Sequence, residues 1–436
     1  MPQLIEHRIY GKGEVIESRY KGFELHVKFA DGLLRWIRRD EVRFLTETPV
    51  LSKLEVPEPI MPKEEFKARQ MIEAFRLGIV PHEHIEEFTF GRDEEIERIK
   101  NWLNRQNEGS QMVIGEYGTG KTHLLEYIYL IALKNNWAVS LVELDPQELP
   151  FHKPKRIYEA AINSFRFKKD GYQCDFREFL RAIVESDNFY KLEEHKYLRS
   201  AIRRITEGGD NEYFWEWIEG HPTRYGYPPM YEYSTSANIY CYILSGIGWA
   251  ARNIMGLDGF LILFDEAESV DRSNYAYYQN NKVWNVLKGL ILMSSNDERL
   301  LRETIVRQYY PQGYWGVHTG LQYSGRFQVR FLWKNPCYVK SIFAFVPYQE
   351  ILGGKPIKDI PPLEIENVEE EFLNRISKRI SLIYEQAYNT TINHELLPRI
   401  YELLPRTNIR MFIKSAVYAF DLLHFHPHKK IEELLR

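Results

Sequence analysis

GEYGTGKTHLLEY, residues 115–127, places Gly115 and Gly120 around a short loop, with Lys121 and Thr122 directly after the second glycine. The spacing is GxxxxGK[ST] without departure. Glycines let the backbone wrap until its N–H groups point at phosphate oxygens. Lys121 then reaches the β- and γ-phosphates, the Thr122 hydroxyl suits Mg²⁺, and the positive end of the following helix adds to the field. The flanks agree with this reading. QMVIG (111–115) is a short apolar run of strand type, and THLLEYIYLIALKNN (122–136) has the pattern of a helix. The whole run Gly115, Glu116, Tyr117, Gly118, Thr119, Gly120, Lys121, Thr122 and His123 is therefore expected to bind nucleotide. His123 lies far enough into the helix to pack, and Glu116 gains no role of its own.

A second stretch, GFLILFDEAE (259–268), is a strongly apolar strand that ends in carboxylates. In an open α/β sheet the ligands lie at the carboxyl ends of the strands. Asp265 suits a water-mediated Mg²⁺ ligand there, and Glu266 suits a base that polarises an attacking water. Adjacent acidic residues after such a strand mark the additional-strand class of P-loop ATPases. Small-molecule kinases and GTPases usually lack the glutamate, so that class is disfavoured. Glu268 and Asp271 read as solvated or supporting groups. ATP and Mg²⁺ are the cofactors expected, with Lys121 and Glu266 catalytic and with Thr122 and Asp265 on the metal.

The rest of the chain surrounds these motifs. It has 436 residues, a formal net charge of -4, 44% hydrophobic and 27% charged residues, which suits two or three soluble domains. The slight acidity excludes a surface that clings everywhere to DNA but leaves room for a local basic site. Cys174, Cys241 and Cys337 are too far apart for a zinc knuckle and suggest no disulfide framework. No secretory signal and no apolar run of membrane-span length is visible, so a cytoplasmic protein without membrane contact is expected. Residues 1–46 alternate apolar and polar positions between turns at Gly11/Gly13, Lys21-Gly22 and Asp31-Gly32, the pattern of a small β-barrel. Residues 47–63 carry four prolines and read as a linker. A helix from Glu64 sets Phe66, Met71, Ile72 and Phe75 on one side. A P-loop core spans 64–364, and 365–436 reads as a lid of three helices.

Three further segments leave alternatives open. In FTFGRDEEIERI (88–99), Phe90, Gly91 and Arg92, with Ile79 and Val80, either line an adenine pocket or simply start a helix. Arg406 and Arg410 are four apart. They are either lid arginines that reach the γ-phosphate from one helical face or a surface pair. Arg302 and Arg307 are candidates for a finger acting in trans. The segment 302–340 mixes Arg and Lys with Tyr and Trp. It suits phosphate contacts with base stacking, or a hairpin whose aromatics pack on the core, and the second is the more ordinary use of aromatic stripes.

ARQMIEAFRLGIVP (68–81), GEYGTGKTHLLEYI, VSLVELDPQELPFHKPKRIYEAAI (139–162) and GFLILFDEAESV (259–270) together resemble the BREX-type ATP-binding proteins of phage-defence operons. The resemblance implies a core of AAA+ type: a parallel sheet flanked by helices with a C-terminal helical lid. It implies a homo-oligomer working in a DNA-directed assembly of phage or plasmid defence, beside a helicase, nuclease or methyltransferase and with DNA as a further partner. Where relatives resemble ATPE at the end of a later strand, this chain has Val346-Pro347-Tyr348. The first 46 residues resemble the Tudor-like, SH3-fold module of superfamily-one repair helicases, through His7, Tyr10-Gly11, Gly13, Val15, Val27, Phe29, Asp31-Gly32 and Leu45. That resemblance implies docking to a protein such as RNA polymerase. The expectation is a Mg²⁺-dependent ATPase driving or regulating a DNA-directed complex. The alternative is a slow nucleotide-dependent switch or scaffold that recruits its partner through the N-terminal module.

Overall fold

The fold was analysed in a computed structural model, which describes residues 3–7, 10–19, 24–30, 32–38, 42–44, 63–105, 108–221, 228–271, 276–348, 357–406, 408–429 and 433. Most of the proposed linker, Leu45, Asp31 and the Lys21-Gly22 turn lie outside the described residues. The chain divides into two compact units, 1–67 and 68–436.

In the first unit, β1 (Gln3–His7), β2 (Gly11–Arg19), β3 (Glu24–Phe29), β4 (Leu34–Arg38) and β5 (Val42–Phe44) pair antiparallel in the order β4-β3-β2-β1-β5. Period-two alternation puts Leu25, Val27 and Phe29 on one face, where they bury with Ile5 and Ile37. The register of β2 against β3 slips between Val15 and Glu17. Ile16 falls at that slip and is 57% exposed. Leu34 and Trp36 face outward, and Trp36 stacks on His26.

From Lys63 the chain continues with α1 (Lys63–Arg76), most of which belongs to the second unit, then α2 (Asp93–Leu103), β6 (Ser110–Ile114), α3 (Lys121–Lys134), β7 (Ala138–Glu143) and α4 (Pro154–Asn163). A small hairpin, β8 (Phe167–Lys169) and β9 (Tyr172–Cys174), leads to α5 (Phe176–Glu185), α6 (Leu198–Thr206), α7 (Glu212–Glu219) and α8 (Ala237–Asn253). Then come β10 (Phe260–Asp265), α9 (Tyr277–Ser294), the antiparallel strands β11 (Ile305–Tyr309), β12 (Gln312–Gly316) and β13 (Gln322–Tyr323), and the strands β14 (Val339–Phe345) and β15 (Pro362–Glu364). The chain closes with α10 (Glu370–Tyr388), α11 (Leu397–Leu403) and α12 (Ile409–Phe425).

The central sheet has the order β15-β6-β14-β10-β7, and its pairings are parallel. β14 thus lies between the strand that feeds the phosphate loop and the strand that ends in Asp265, as the additional-strand class requires. Parallel strands bury both faces, which is why every residue of β6, β10 and β14 is buried and why β10 reads as an almost continuous apolar run. Alternate residues serve opposite layers. Leu261 and Leu263 pack with α2 and α3, while Phe260, Ile262 and Phe264 pack with α4, α8 and α9. All four strands β6, β7, β10 and β14 end at one edge, and their loops build the site.

The three C-terminal helices are present, but their core has a fourth member. Ala68, Met71, Ile72 and Phe75 of α1 bury among residues of α10, α11 and α12. Arg76 donates to both carboxylate oxygens of Asp421 on α12, at 3.1 and 2.6 Å. Phe66, expected on the same stripe, is 53% exposed.

Candidate nucleotide site

The loop between β6 and α3 is held in shape from behind. Gly118 and Gly120 adopt left-handed backbone, with φ of 82° and 95°. A Cβ on Gly120 would meet nothing within 4 Å, so that side of the loop is open to a ligand. A Cβ on Gly115 would lie 2.6 Å from Ile365 and from Thr119, so only glycine lets the loop leave β6 here. Thr119 donates its hydroxyl to the carbonyl of Glu116 at 2.9 Å. Arg92 is buried and donates to the carbonyls of Thr119, at 2.7 Å, and Glu366, at 2.5 Å, while pairing with Glu95 at 2.8 Å. Its guanidinium is therefore committed to bracing the loop against the start of the lid, not to an adenine pocket.

Lys121 is also buried and folds back on the loop. Its Nζ donates to the carbonyl of Gly115 at 2.9 Å and to that of Glu116 at 3.3 Å. A lysine in that posture is poised over the space where phosphate oxygens replace the carbonyls. Tyr117 is 59% exposed, with its ring 5.2 Å from the Lys121 ammonium. His123 turns inward. The Thr89 hydroxyl donates to Ile85, so His123 Nε2 donates to Thr89 Oγ1 at 2.9 Å. Burial, with Arg92 nearby, pushes this imidazole down to about 4. His123 is thus a neutral packing residue that ties α3 to residues 82–89.

The two motifs meet directly. The Thr122 hydroxyl donates to Asp265 Oδ2 at 2.6 Å, and the other carboxylate oxygen of Asp265 accepts from the Glu266 amide at 2.9 Å. Two oxygen donors on a P-loop threonine and a buried aspartate are the donor set a hard divalent cation takes. Glu266 holds a left-handed backbone, φ 53° and ψ 37°, which is uncommon for a side chain of its kind. Burial pushes its carboxyl up to about 7, with Glu268 and Asp265 adding to the rise and Lys121 opposing it. A base near neutrality beside a phosphate loop is suited to polarising water.

The lid reaches the loop through a residue the sequence reading missed. Asn408 caps α12, accepting from the amides of Arg410 and Met411 at 2.9 and 3.2 Å. A Cβ on Gly118 would lie 1.9 Å from the Asn408 amide nitrogen, so this side chain rests on the loop. An Asn directly before the apolar run IRMFI was the available cap signal. Arg406 and Arg410 do not share a helical face, because α12 begins only at Ile409. Arg406 pairs with Glu370 at 2.8 Å and covers the ring of Tyr401. Arg410 packs its stem against Gly78. Phe90 and Gly91 lie against α10, under Arg375 and Phe372 respectively, while Ile79 is 46% exposed.

The aromatic basic segment divides. Tyr314, Tyr323, Phe327, Phe331 and Trp333 join the large core, whereas Tyr309 and Tyr310 at the hairpin tip are 85% and 96% exposed. Lys340 donates to the carbonyls of Trp102, Arg105 and Glu108, Lys334 pairs with Glu194, and Arg302 pairs with Glu298. Arg307 lies near the ring of Tyr309. The segment is therefore no continuous basic stripe. At the end of β14, Tyr348 is the polar residue that the Val346-Pro347-Tyr348 sequence supplies.

Among the described residues no helix is long and apolar enough to cross a membrane. No curated protein matches the chain. Solved structures give distant likenesses, each covering 80% of this chain. One is a DNA replication initiation factor, with 13% identity, a TM-score of 0.35 and 66% of that chain covered. Another is AMPPCP-bound DnaA from Aquifex aeolicus, with 14% identity, a TM-score of 0.35 and 68% covered. A third is replication initiator DnaA bound to AMPPCP and single-stranded DNA, with 14% identity, a TM-score of 0.35 and 67% covered. The chain spans about two thirds of the length of these structures. By its sheet order, phosphate loop and helical lid the second unit is a P-loop NTPase fold of AAA+ type, and residues 64–196 match the family of the BREX system ATP-binding protein BrxC/D.

Proposed function

We propose that the protein is a Mg²⁺-dependent ATPase that drives or regulates a DNA-directed assembly in phage or plasmid defence. The observation that carries the reading is the 2.6 Å hydrogen bond from Thr122 to Asp265, which joins the phosphate loop to the acidic strand end beside Glu266. Thr122 and Asp265 would hold Mg²⁺, which neutralises phosphate charge when bound. Lys121 exchanges its loop carbonyls for phosphate oxygens. Glu266 orients the attacking water and takes its proton. Arg92 and Thr119 keep the loop wrapped while this happens. The match to BREX ATP-binding proteins supports the defence setting. The N-terminal unit serves as a Tudor-like docking module for a helicase, nuclease, methyltransferase or RNA polymerase, and the ATPase acts as a homo-oligomer.

The test is steady-state ATP hydrolysis with and without duplex DNA. Turnover that rises with DNA and disappears in Lys121→Ala and Glu266→Gln supports a DNA-working ATPase. Turnover that survives Lys121→Ala sinks the site assignment. A second reading, a slow nucleotide switch, draws on the contact of Asn408 with Gly118, which lets the lid sense the loop. Slow turnover indifferent to DNA, with a nucleotide-dependent change in mass, favours it. An unchanged mass and unchanged partner affinity exclude it.

A further inference from the structure

α12 buries one side and leaves the other uncovered. Phe412, Ile413, Ala416, Val417, Ala419 and Phe420 face the core shared with α1, α10 and α11. On the opposite side Met411, Tyr418 and Phe425 are 49%, 58% and 70% exposed. Each stands seven residues from the next, so they form one line along the helix that drifts only about 20° per step. From Met411 to Phe425 the line runs about 21 Å at 1.5 Å per residue. Ser415 and Leu422 lie half-buried along one flank of it. The other flank holds Lys414. A Cβ on Gly78 would lie 2.5 Å from Arg410 Cγ and 3.1 Å from Lys414 Cδ, and the neighbours Leu77 and Ile79 are exposed beside this end of the helix.

The charges around the line have one sign. Arg410 and Lys414 at its start and Lys429 past its end are exposed and make no ion pair among the described residues. His424, His426 and His428 are exposed with them. The one acid of residues 409–429, Asp421, is committed to Arg76 and to the Tyr384 hydroxyl. Shape and charge together select the occupant. A row of large side chains seven apart, with Leu422 beside it, is the width of seam that one crossing helix fills. A membrane surface takes a broader apolar face. A second α12, laid in either direction, would bring cations against cations.

We propose that the outer face of α12 docks an acidic amphipathic helix of a different protein. Its apolar side chains pack among Met411, Tyr418 and Phe425, and its carboxylates pair with Arg410, Lys414 and Lys429. The docking does not rest on the ATPase reading. It would place the partner on the same helix whose cap, Asn408, rests on Gly118 of the phosphate loop.

The test is fluorescence anisotropy of a labelled synthetic helix titrated with the full chain, without nucleotide. The peptide carries Leu at the two core positions of each heptad and Glu at the flanking ones. Saturable binding that salt weakens is expected. Tyr418→Ser/Phe425→Ser should weaken it about 10-fold or more, and Lys414→Glu about 5-fold. Tyr309→Ser/Tyr310→Ser removes exposed rings elsewhere and should leave it unchanged. A scrambled peptide of the same composition, and one with Lys in place of Glu, should each bind at least 10-fold more weakly. A near-parental melting temperature shows that the aromatic pair of substitutions leaves the fold intact; if it falls, the exposed single substitution Lys414→Glu decides. No saturable binding, equal binding by the α12 variants or equal binding of the scrambled peptide overturns the proposal. Two further outcomes overturn it by naming another occupant. Self-association abolished by Tyr418→Ser/Phe425→Ser assigns the face to a second copy. Binding to vesicles of anionic phospholipid that these substitutions abolish, with the peptide unbound, assigns it to a membrane.

Discussion

Replacing Gly118 with alanine tests the contact between loop and lid. Gly118 has φ 82°, a conformation that costs an L-residue roughly 1–2 kcal/mol. The new Cβ would also lie 1.9 Å from the Asn408 amide nitrogen and 2.3 Å from its Cγ. Asn408 has to swing away, and α12 then loses its cap, at about 1 kcal/mol. The two effects together reach roughly 2–3 kcal/mol, which is about 30- to 150-fold in an equilibrium. Where the cost appears depends on the free loop. If the loop relaxes without nucleotide, binding must restore the strained shape, and affinity for a fluorescent ATP analogue falls by up to that factor. If the loop keeps its shape, the melting temperature falls instead. Combining Gly118→Ala with Asn408→Gly removes the clash, and glycine at a cap costs only a few tenths of a kcal/mol. The pair should therefore recover about 1 kcal/mol relative to Gly118→Ala alone. If Gly118→Ala changes neither affinity nor melting, or Asn408→Gly restores nothing, the lid does not rest on the loop in the way described.

Thr122→Val removes the donor to Asp265 and leaves a buried carboxylate short of a charge-assisted hydrogen bond, so nucleotide-free protein should lose about 1.5–3 kcal/mol in chemical denaturation. Arg92→Met deprives the Thr119 and Glu366 carbonyls of their donor, and ATP-analogue affinity should fall while turnover at saturation changes little. His195 is fully buried and pushed down to about 3, with Nδ1 accepting from the amides of Tyr197 and Leu198 and Nε2 donating to the Tyr242 carbonyl. Its native value lies below its ordinary 6.5, so it is neutral in both states at higher pH. As pH falls below 6.5 the unfolded chain takes up a proton that the folded chain refuses, and stability drops by up to about 1.4 kcal/mol per pH unit. His195→Gln should lower the melting temperature at pH 7 yet flatten the slope between pH 6 and roughly 4; an unchanged slope would remove His195 from the account. Tyr310→Ser at the hairpin tip should alter stability by less than about 0.5 kcal/mol, whereas Tyr323→Ser in the core should cost roughly 3 kcal/mol or more, both read by thermal melting.

What could be read from the chain alone followed the range of the physics involved. The phosphate loop was legible because its requirements are local. A backbone that wraps a phosphate needs glycine at fixed offsets, and the strand before and helix after it are set by neighbouring residues. Asp265 and Glu266 were legible because a strand buried on both faces declares itself as an apolar run, and its first polar residues must stand at the sheet edge. The central sheet order follows from the same two motifs, since the additional-strand class places one strand between them. Arg92 was only half legible. Its closeness to the loop was visible, but its real partners are carbonyls 27 and 274 residues away, and a carbonyl has no signature in sequence.

Where the sequence left alternatives open, one cause recurs, which is that periodicity tells that a face is buried and not what buries it. The stripe of α1 is real, yet its cover is α12, and the ion pair that fixes them joins residues 345 apart. Arg406 and Arg410 have helical spacing, but spacing creates a shared face only if one helix spans both. Pro405 and the cap at Asn408 argue that it does not, and both were visible in LLPRTNIRMF. In 302–340 a single composition serves two opposite ends. Tyr323 is buried because Asn285 and Asn238 tie the neighbouring Gln322 and Ser324 to α9 and α8. Tyr309 and Tyr310 stand exposed at the turn of the β11–β12 hairpin. Composition alone could not divide them, because exposure at a hairpin tip is decided by where the strand ends and not by the side chains it carries.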